Sequence, residues 1–220
     1  MSGLFGRAHV KWILAALLGL LLVLVACNTP APTSAPATAE LPAAATATSA
    51  PSLSPEDTAL ALGAQALAAL KAQDMAALAA LAHPTQGVRF SPYAFVRDED
   101  LVFTPAQLNG AFSDSTVYEW GAYDGSGEPI NLTFAGYYQE FIFDQDYTTA
   151  EAVSANERLG QGNSIDNSQE AYPGAMVVEY HFPGFNPDYE GMDWVSLRLV
   201  FQEFEGRWVL VGIIHDQWTI

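Results

Sequence analysis

Cysteine is all but missing from this 220-residue chain, which contains one, Cys27. No internal disulfide can form, so the fold has to stand on its core. Basic residues are scarce as well: Lys and Arg together number 8 against 25 Asp and Glu, a formal net charge of −17. So acidic a chain offers no basic face for nucleic acid or anionic lipid. The acids are scattered rather than run together, and solubility accounts for them more simply than attraction for cations or basic partners. No G-x-S-x-G elbow, Walker loop or dinucleotide fingerprint occurs, and there is no internal repeat. His83, His181 and His215 lie too far apart in sequence to form a local metal motif. Neither a metal site nor a cofactor is expected.

The first residues carry a different signal. Arg7 and Lys11 form a positive n-region, and Trp12 through Val25 form an apolar h-region without an acid, the layout of a secretory leader. A transmembrane helix is the competing reading, but the run is short against the roughly 20 apolar residues a bilayer core needs. It ends in Leu24-Val25-Ala26-Cys27, which resembles the lipobox of bacterial lipoproteins. That resemblance implies cleavage of residues 1–26 as a signal peptide and lipidation of Cys27. The protein would then be held on the cell membrane, facing the extracytoplasmic side. Two acyl chains give stable anchoring where one does not, each buried CH₂ contributing roughly 0.8 kcal/mol. Without the leader, 6 basic residues face 25 acidic ones.

After Cys27 comes a stretch of Pro, Ala, Thr and Ser with Glu40 as its one charge. It cannot bury enough apolar surface to offset its ordering entropy, so residues 27–55 are read as the lipidated cysteine and a disordered tether. The reach of such a tether lies between about 30 Å as a coil and near 90 Å extended. Residues 56–220 have the length of one domain and enough Phe, Tyr, Trp, Val and Leu for a substantial core.

Within that domain, Ser54 is an N-cap candidate, Pro55 suits the first helical position, and Leu60, Ala64, Leu67 and Leu70 recur at helical spacing. Asp74 caps a second short helix that ends before Pro84, completing a helical hairpin. "GVRFSPYAFV" reads as a strand that Pro92 confines to an edge or a bulge. A short helix is expected after Thr104, a strand at "TVYEWGAY", and a loop at "DGSGEP". Phe134, Tyr137, Tyr138, Phe141 and Ile142 step by three and four, which predicts a helix capped by Thr133. "EAVSANERL" and "AMVVEYHF" read as strands, with a mobile loop from Gly160 to Ser168 between them. The chain closes with two long strands joined at Glu205-Gly206.

This order is α+β: an N-terminal helical hairpin packed on a curved, mainly antiparallel sheet. It is similar to the cone-shaped NTF2-like (SnoaL-like) fold, in which the sheet wraps around helices and leaves a pocket. "HPTQGVRFSPY", "YDGSGEPINLTF", "VVEYHFPGFNP" and "LVGIIHDQWTI" also resemble segments of uncharacterised bacterial exported proteins, a family without an activity to carry over.

A two-residue loop in the final hairpin places Val195, Leu197, Leu199, Phe201, Trp208, Leu210 and Ile214 on a core face. Trp194, Ser196, Arg198, His215 and Gln217 then converge on the other face as a candidate ligand site, Arg198 suiting an anionic or carbonyl-bearing ligand. The plainer reading pairs Arg198 with Glu179 or Asp193 and leaves His215 capping the sheet edge; a register shift of one residue would scatter the cluster. Asp124 to Glu128 offers alternate oxygen ligands, but without the rest of the EF-hand pattern it reads as a tight turn. Asp144 and Asp146 read as solvent-exposed at a helix end, and Phe185, Tyr189 and Trp194 stand on a turn-rich loop.

Three functional readings follow. One is a membrane-anchored binding domain for a small-molecule or protein ligand. Another is a hydrolase or isomerase of the same architecture, with His215 as base, Arg198 stabilising charge, and Asp193 or Asp216 orienting the histidine. The third is a structural envelope protein working through exposed aromatics.

Overall fold

The computed structural model describes residues 53–219. The leader, Cys27 and the tether as far as residue 52 lie outside the described residues. Among the described residues, no helix is long and apolar enough to cross a membrane.

Local signals start the fold where the sequence places them. Helix α1 spans Pro55–Lys71, and the Ser54 hydroxyl accepts a hydrogen bond from the Asp57 backbone N–H. Helix α2, Met75–Leu81, begins with the Asp74 carboxylate accepting from Ala77 N–H. Strand β1 is Val88–Ser91 and β2 is Val102–Phe103, followed by α3, Pro105–Gly110, which opens with a capping box between Thr104 and Gln107. Strands β3, Tyr118–Ala122, and β4, Pro129–Leu132, pair as a separate ribbon. Helix α4, Phe134–Tyr137, runs on into a π turn at Tyr138–Ile142. Then come β5, Ala152–Ala155, α5, Ser168–Ala171, β6, Met176–Phe182, β7, Val195–Phe204, and β8, Arg207–Gln217.

The main sheet has the order β2-β1-β8-β7-β6-β5. It is antiparallel except where β1 runs parallel to β8. That pairing corrects the edge-or-bulge expectation at Pro92: β1 is an interior strand, and it ends at Ser91 because Pro92 has no N–H to extend the ladder.

Helix α1 and the α4/π segment cover one face, where Leu67, Leu70, Val178, Tyr180, Leu197, Leu199 and Ile213 are buried. Each large aliphatic side chain buried there contributes about 1.5–3 kcal/mol. Phe90, Phe103, Trp120, Phe134, Tyr137 and Phe141 join the same core. Trp120 stacks on Tyr137 with centroids 3.8 Å apart, and its indole N–H donates to Leu132 O. The space a curved sheet leaves against its helices is here filled with aromatic rings. The opposite face carries a smaller cluster around Val177, Val200, Val209 and Ile214, closed by Tyr172.

A bulge sets which residues of β8 belong to which face. Phe204 pairs with Arg207 and Phe201 with Leu210, as a two-residue loop demands, but Val200 then pairs with Gly212, leaving Val211 as an extra residue. Beyond it the alternation inverts. Ile213 and His215 turn to the helix face, opposite Leu199 and Leu197; Ile214 and Asp216 turn to the other, opposite Arg198 and Ser196. Gly212 permits this packing, since a Cβ there would lie 2.8 Å from the Tyr172 hydroxyl.

Candidate functional site

The outer face of β6, β7 and β8 carries Glu179, His181, Ser196, Arg198 and Asp216, all buried. Charges so placed need partners, and the chain supplies them from residues 156–168, a strap laid across the sheet. Arg198 reaches Asp166 at 3.0 Å, Glu179 at 3.4 Å and Asp216 at 3.6 Å. Asp216 also receives Arg158 at 2.9 Å and the Ser164 hydroxyl at 3.1 Å. Glu179 accepts four hydrogen bonds, from Leu159 N–H, Gly160 N–H, the Ser196 hydroxyl and Arg198 Nε. The stretch expected to be a mobile loop, Gly160 to Ser168, is therefore fastened at Gly160, Ser164 and Asp166.

These contacts perturb the titrating groups. Burial raises the Asp216 pKa, with Arg198 and Arg158 pulling the other way without prevailing. Burial acts in the same direction on Asp166, but the Arg198 charge and bonds from Ser168 outweigh it and its pKa is lowered. His181 is lowered by burial, against the weaker opposing influence of Glu179, Asp216 and Glu151. The Ser196 hydroxyl proton goes to Glu179, so His181 Nδ1, 2.8 Å from Ser196 Oγ, has to be the donor to that oxygen.

A pH dependence follows. Below about pH 6.5 the unfolded chain protonates His181 while the folded chain resists, so the unfolded state binds more protons and stability is lost as the pH is lowered. Denaturant titrations between pH 7.5 and 5.5 are expected to show this slope, reduced in His181→Gln. Identical slopes in the two chains would refute it.

The hairpin cluster expected from the sequence is not assembled. Arg198 and His215 lie on opposite faces because of the bulge, and Arg198 is committed to Glu179, the plainer alternative. His215 is buried on the helix face, its ring edge-on to Phe141, with Nδ1 3.2 Å from Pro92 O and Nε2 3.6 Å from Asp144. Neither proposed orienter serves it. Asp193 accepts the backbone N–H groups of Phe185 and Asn186, and Asp216 faces the strap. The catalytic arrangement of His215 with Arg198 is thereby dismantled. Trp194 is buried beneath Gly160 rather than exposed, whereas Phe185 and Tyr189 stand in solvent. Asp146 pairs with Lys71, and Asp144 accepts the Tyr147 hydroxyl. His83 Nδ1 accepts from Gln86 N–H. Asp124 to Glu128 is a turn, closed by Gly127 N–H to Tyr123 O. No group of three or more His, Cys, Asp or Glu among the described residues could hold a metal ion.

The open space lies at the C-terminal end of β8. A cavity of about 500 Å³ is lined by Pro92, Tyr93, Phe95, Arg97, Ala122 and Tyr123, with Asn163, Ser164 and Ile165 of the strap and Asp216, Gln217 and Thr219. Of the expected ligand-binding set, Gln217 lines it; Trp194, Ser196, Arg198 and His215 do not. Tyr93 and Tyr123 both pack on Phe141, and the Tyr93 hydroxyl accepts Asp124 N–H. Burial, more than the carboxylates nearby, raises the Tyr93 pKa, so the phenol stays protonated. Tyr93, Phe95 and Tyr123 give the wall aromatic surface, and polar side chains that include Arg97, Asp124, Asp216 and Gln217 stand beside it, a mixture that can both bury and orient a small molecule. Sequence reasoning passed over Tyr93, Arg97 and Tyr123, which come together only through the parallel β1/β8 pairing and the β3/β4 ribbon.

No family model matches the chain, and no curated protein matches it. Solved structures do. A protein named as an Rd1NTF2 variant has a TM-score of 0.32 at 14% identity, over 73% of this chain and 97% of its own. One named as a calcium/calmodulin dependent protein kinase II association domain, from Xanthomonas campestris, scores 0.33 at 15% identity, over 72% and 84%. A third, named as a dehydratase of the NTF2-like family from Streptomyces avermitilis, scores 0.27 at 13% identity, over 74% and 97%. These likenesses concern overall chain architecture.

Proposed function

We propose that this chain is an anchored binding protein: an NTF2-like α+β domain that takes a small ligand and is displayed by lipidated Cys27 and its tether on the outer side of the cell membrane. The cavity at the end of β8 carries the binding half of that reading. Its volume of about 500 Å³ falls in the range of small-molecule sites, and its walls set aromatic rings beside polar groups that include Arg97, Asp124, Asp216 and Gln217. The anchoring half rests on the leader and the Leu24-Val25-Ala26-Cys27 sequence.

The two halves are tested separately. Ala122 is a partly buried cavity wall, and Ala122→Trp fills the space from the side. Fragments found to bind the native chain should lose at least roughly tenfold in affinity to this variant, about 1.4 kcal/mol, while its thermal midpoint stays near the native one. Unchanged affinity would move the site elsewhere. For the anchor, mass spectrometry of the membrane-extracted protein should find a diacylated N-terminal Cys27. An intact leader or a bare thiol at that residue would end the display model.

A further inference from the structure

From the setting of Arg97 we infer that the cavity recognises a planar monocarboxylate, an inference that rests on the binding reading above. Arg97 stands at the meeting point of three adjoining hollows, this cavity and two of about 420 Å³ each. Its placement is fixed from behind. Arg97 N–H and Nε both donate to Asp100, at 3.0 and 3.3 Å, and the buried Asp100 also accepts the Ser91 hydroxyl. The carbonyl of Arg97 accepts from Arg89, which holds the backbone as well.

Position 121 in β3 is adapted to this side chain. Gly121 has φ +116, at an irregularity of the β3/β4 pairing, and a Cβ there would fall 1.8 Å from Arg97 Nη2. The guanidinium therefore lies across bare backbone. Its Nη1 and Nη2 make no hydrogen bond among the described residues, and the side chain is 38% exposed. Two parallel N–H donors on a held plane match the two oxygens of a carboxylate.

The rest of the wall restricts what that carboxylate can belong to. Pro92, Tyr93, Phe95 and Tyr123 present flat apolar surfaces, which favour a ring or a conjugated plane. Asp124 and Asp216, both in the wall, disfavour a second negative charge. Gln217 is left to donate to or accept from a neutral polar substituent.

The test sets benzoate and 2-naphthoate against benzamide and 2-naphthamide, on the full chain, followed by NMR including the arginine Nε–H signals. The acids should bind at least roughly tenfold tighter than the amides and shift the Arg97 Nε–H. Arg97→Gln should erase that preference while leaving the amides' weak binding. Arg97→Lys keeps the charge beside Asp100 and loses the fork, so it should lose most of the preference in a protein that still folds. Amides binding as tightly as acids, or a preference surviving both substitutions, would overturn the carboxylate assignment and leave the cavity's role standing. Binding by none of the four probes would overturn both.

Discussion

Arg198→Ala is expected to lower the unfolding free energy by about 3–5 kcal/mol, as measured by denaturant titration at pH 8. The side chain is 1% exposed and stands among three carboxylates. Truncation removes the positive member of the network and leaves Glu179 and Asp216 buried. Arg158 still pairs with Asp216, but nothing replaces Nε at Glu179. The loss should shrink on acidification. Without Arg198 the Asp216 pKa, already raised, rises further, so the folded variant takes up a proton before the unfolded chain does and regains stability as pH falls towards the ordinary carboxylate range. Asp166 changes in the same sense, because the stabilisation it draws from Arg198 is present only while it is ionised. In a Glu179→Ala background the same truncation should cost less, the difference being the coupling between the two residues. A cost below about 1 kcal/mol at pH 8 would mean that the network is hydrated and open rather than buried.

Trp120→Ala should cost a comparable amount, about 3–5 kcal/mol. Trp120 is fully buried among Phe90, Phe103, Tyr118, Phe134 and Tyr137, so its removal opens a hole that packed rings cannot close. Trp120→Phe should be milder, losing the indole N–H that Leu132 O accepts and part of the stack on Tyr137. Thermal unfolding of the three proteins should rank them native, Phe, Ala. A native-like Ala variant would show that the helix face of the sheet is loosely filled, and would reopen that space as a ligand site.

What was legible in the sequence is what is local. Ser54, Asp74 and Thr133 cap the helices they were expected to cap, and a short helix starts after Thr104 as expected, because a helix start is decided by three or four neighbouring residues. The turn at Glu205-Gly206 and the pairing next to it were readable for the same reason. The bulge at Val211 was not. Its condition is that Gly212 make room for Tyr172, forty positions earlier and on another element. That single unpaired residue decided the candidate site, exchanging His215 for Asp216 beside Arg198. Strands β2 and β4 are too short to show an alternating pattern, and the parallel β1/β8 pairing has no sequence signature. Arg97 escaped notice because its value as a binding group depends on Asp100 behind it, Gly121 beneath it and β8 beside it.

The strap carries its own optical probe. A Cβ at Gly160 would lie 2.4 Å from the Trp194 ring, and one at Gly162 would lie 3.3 Å from Trp218, so two indoles report directly on whether this segment is seated. Lifting it would wet both rings and shift their emission to the red without any added label.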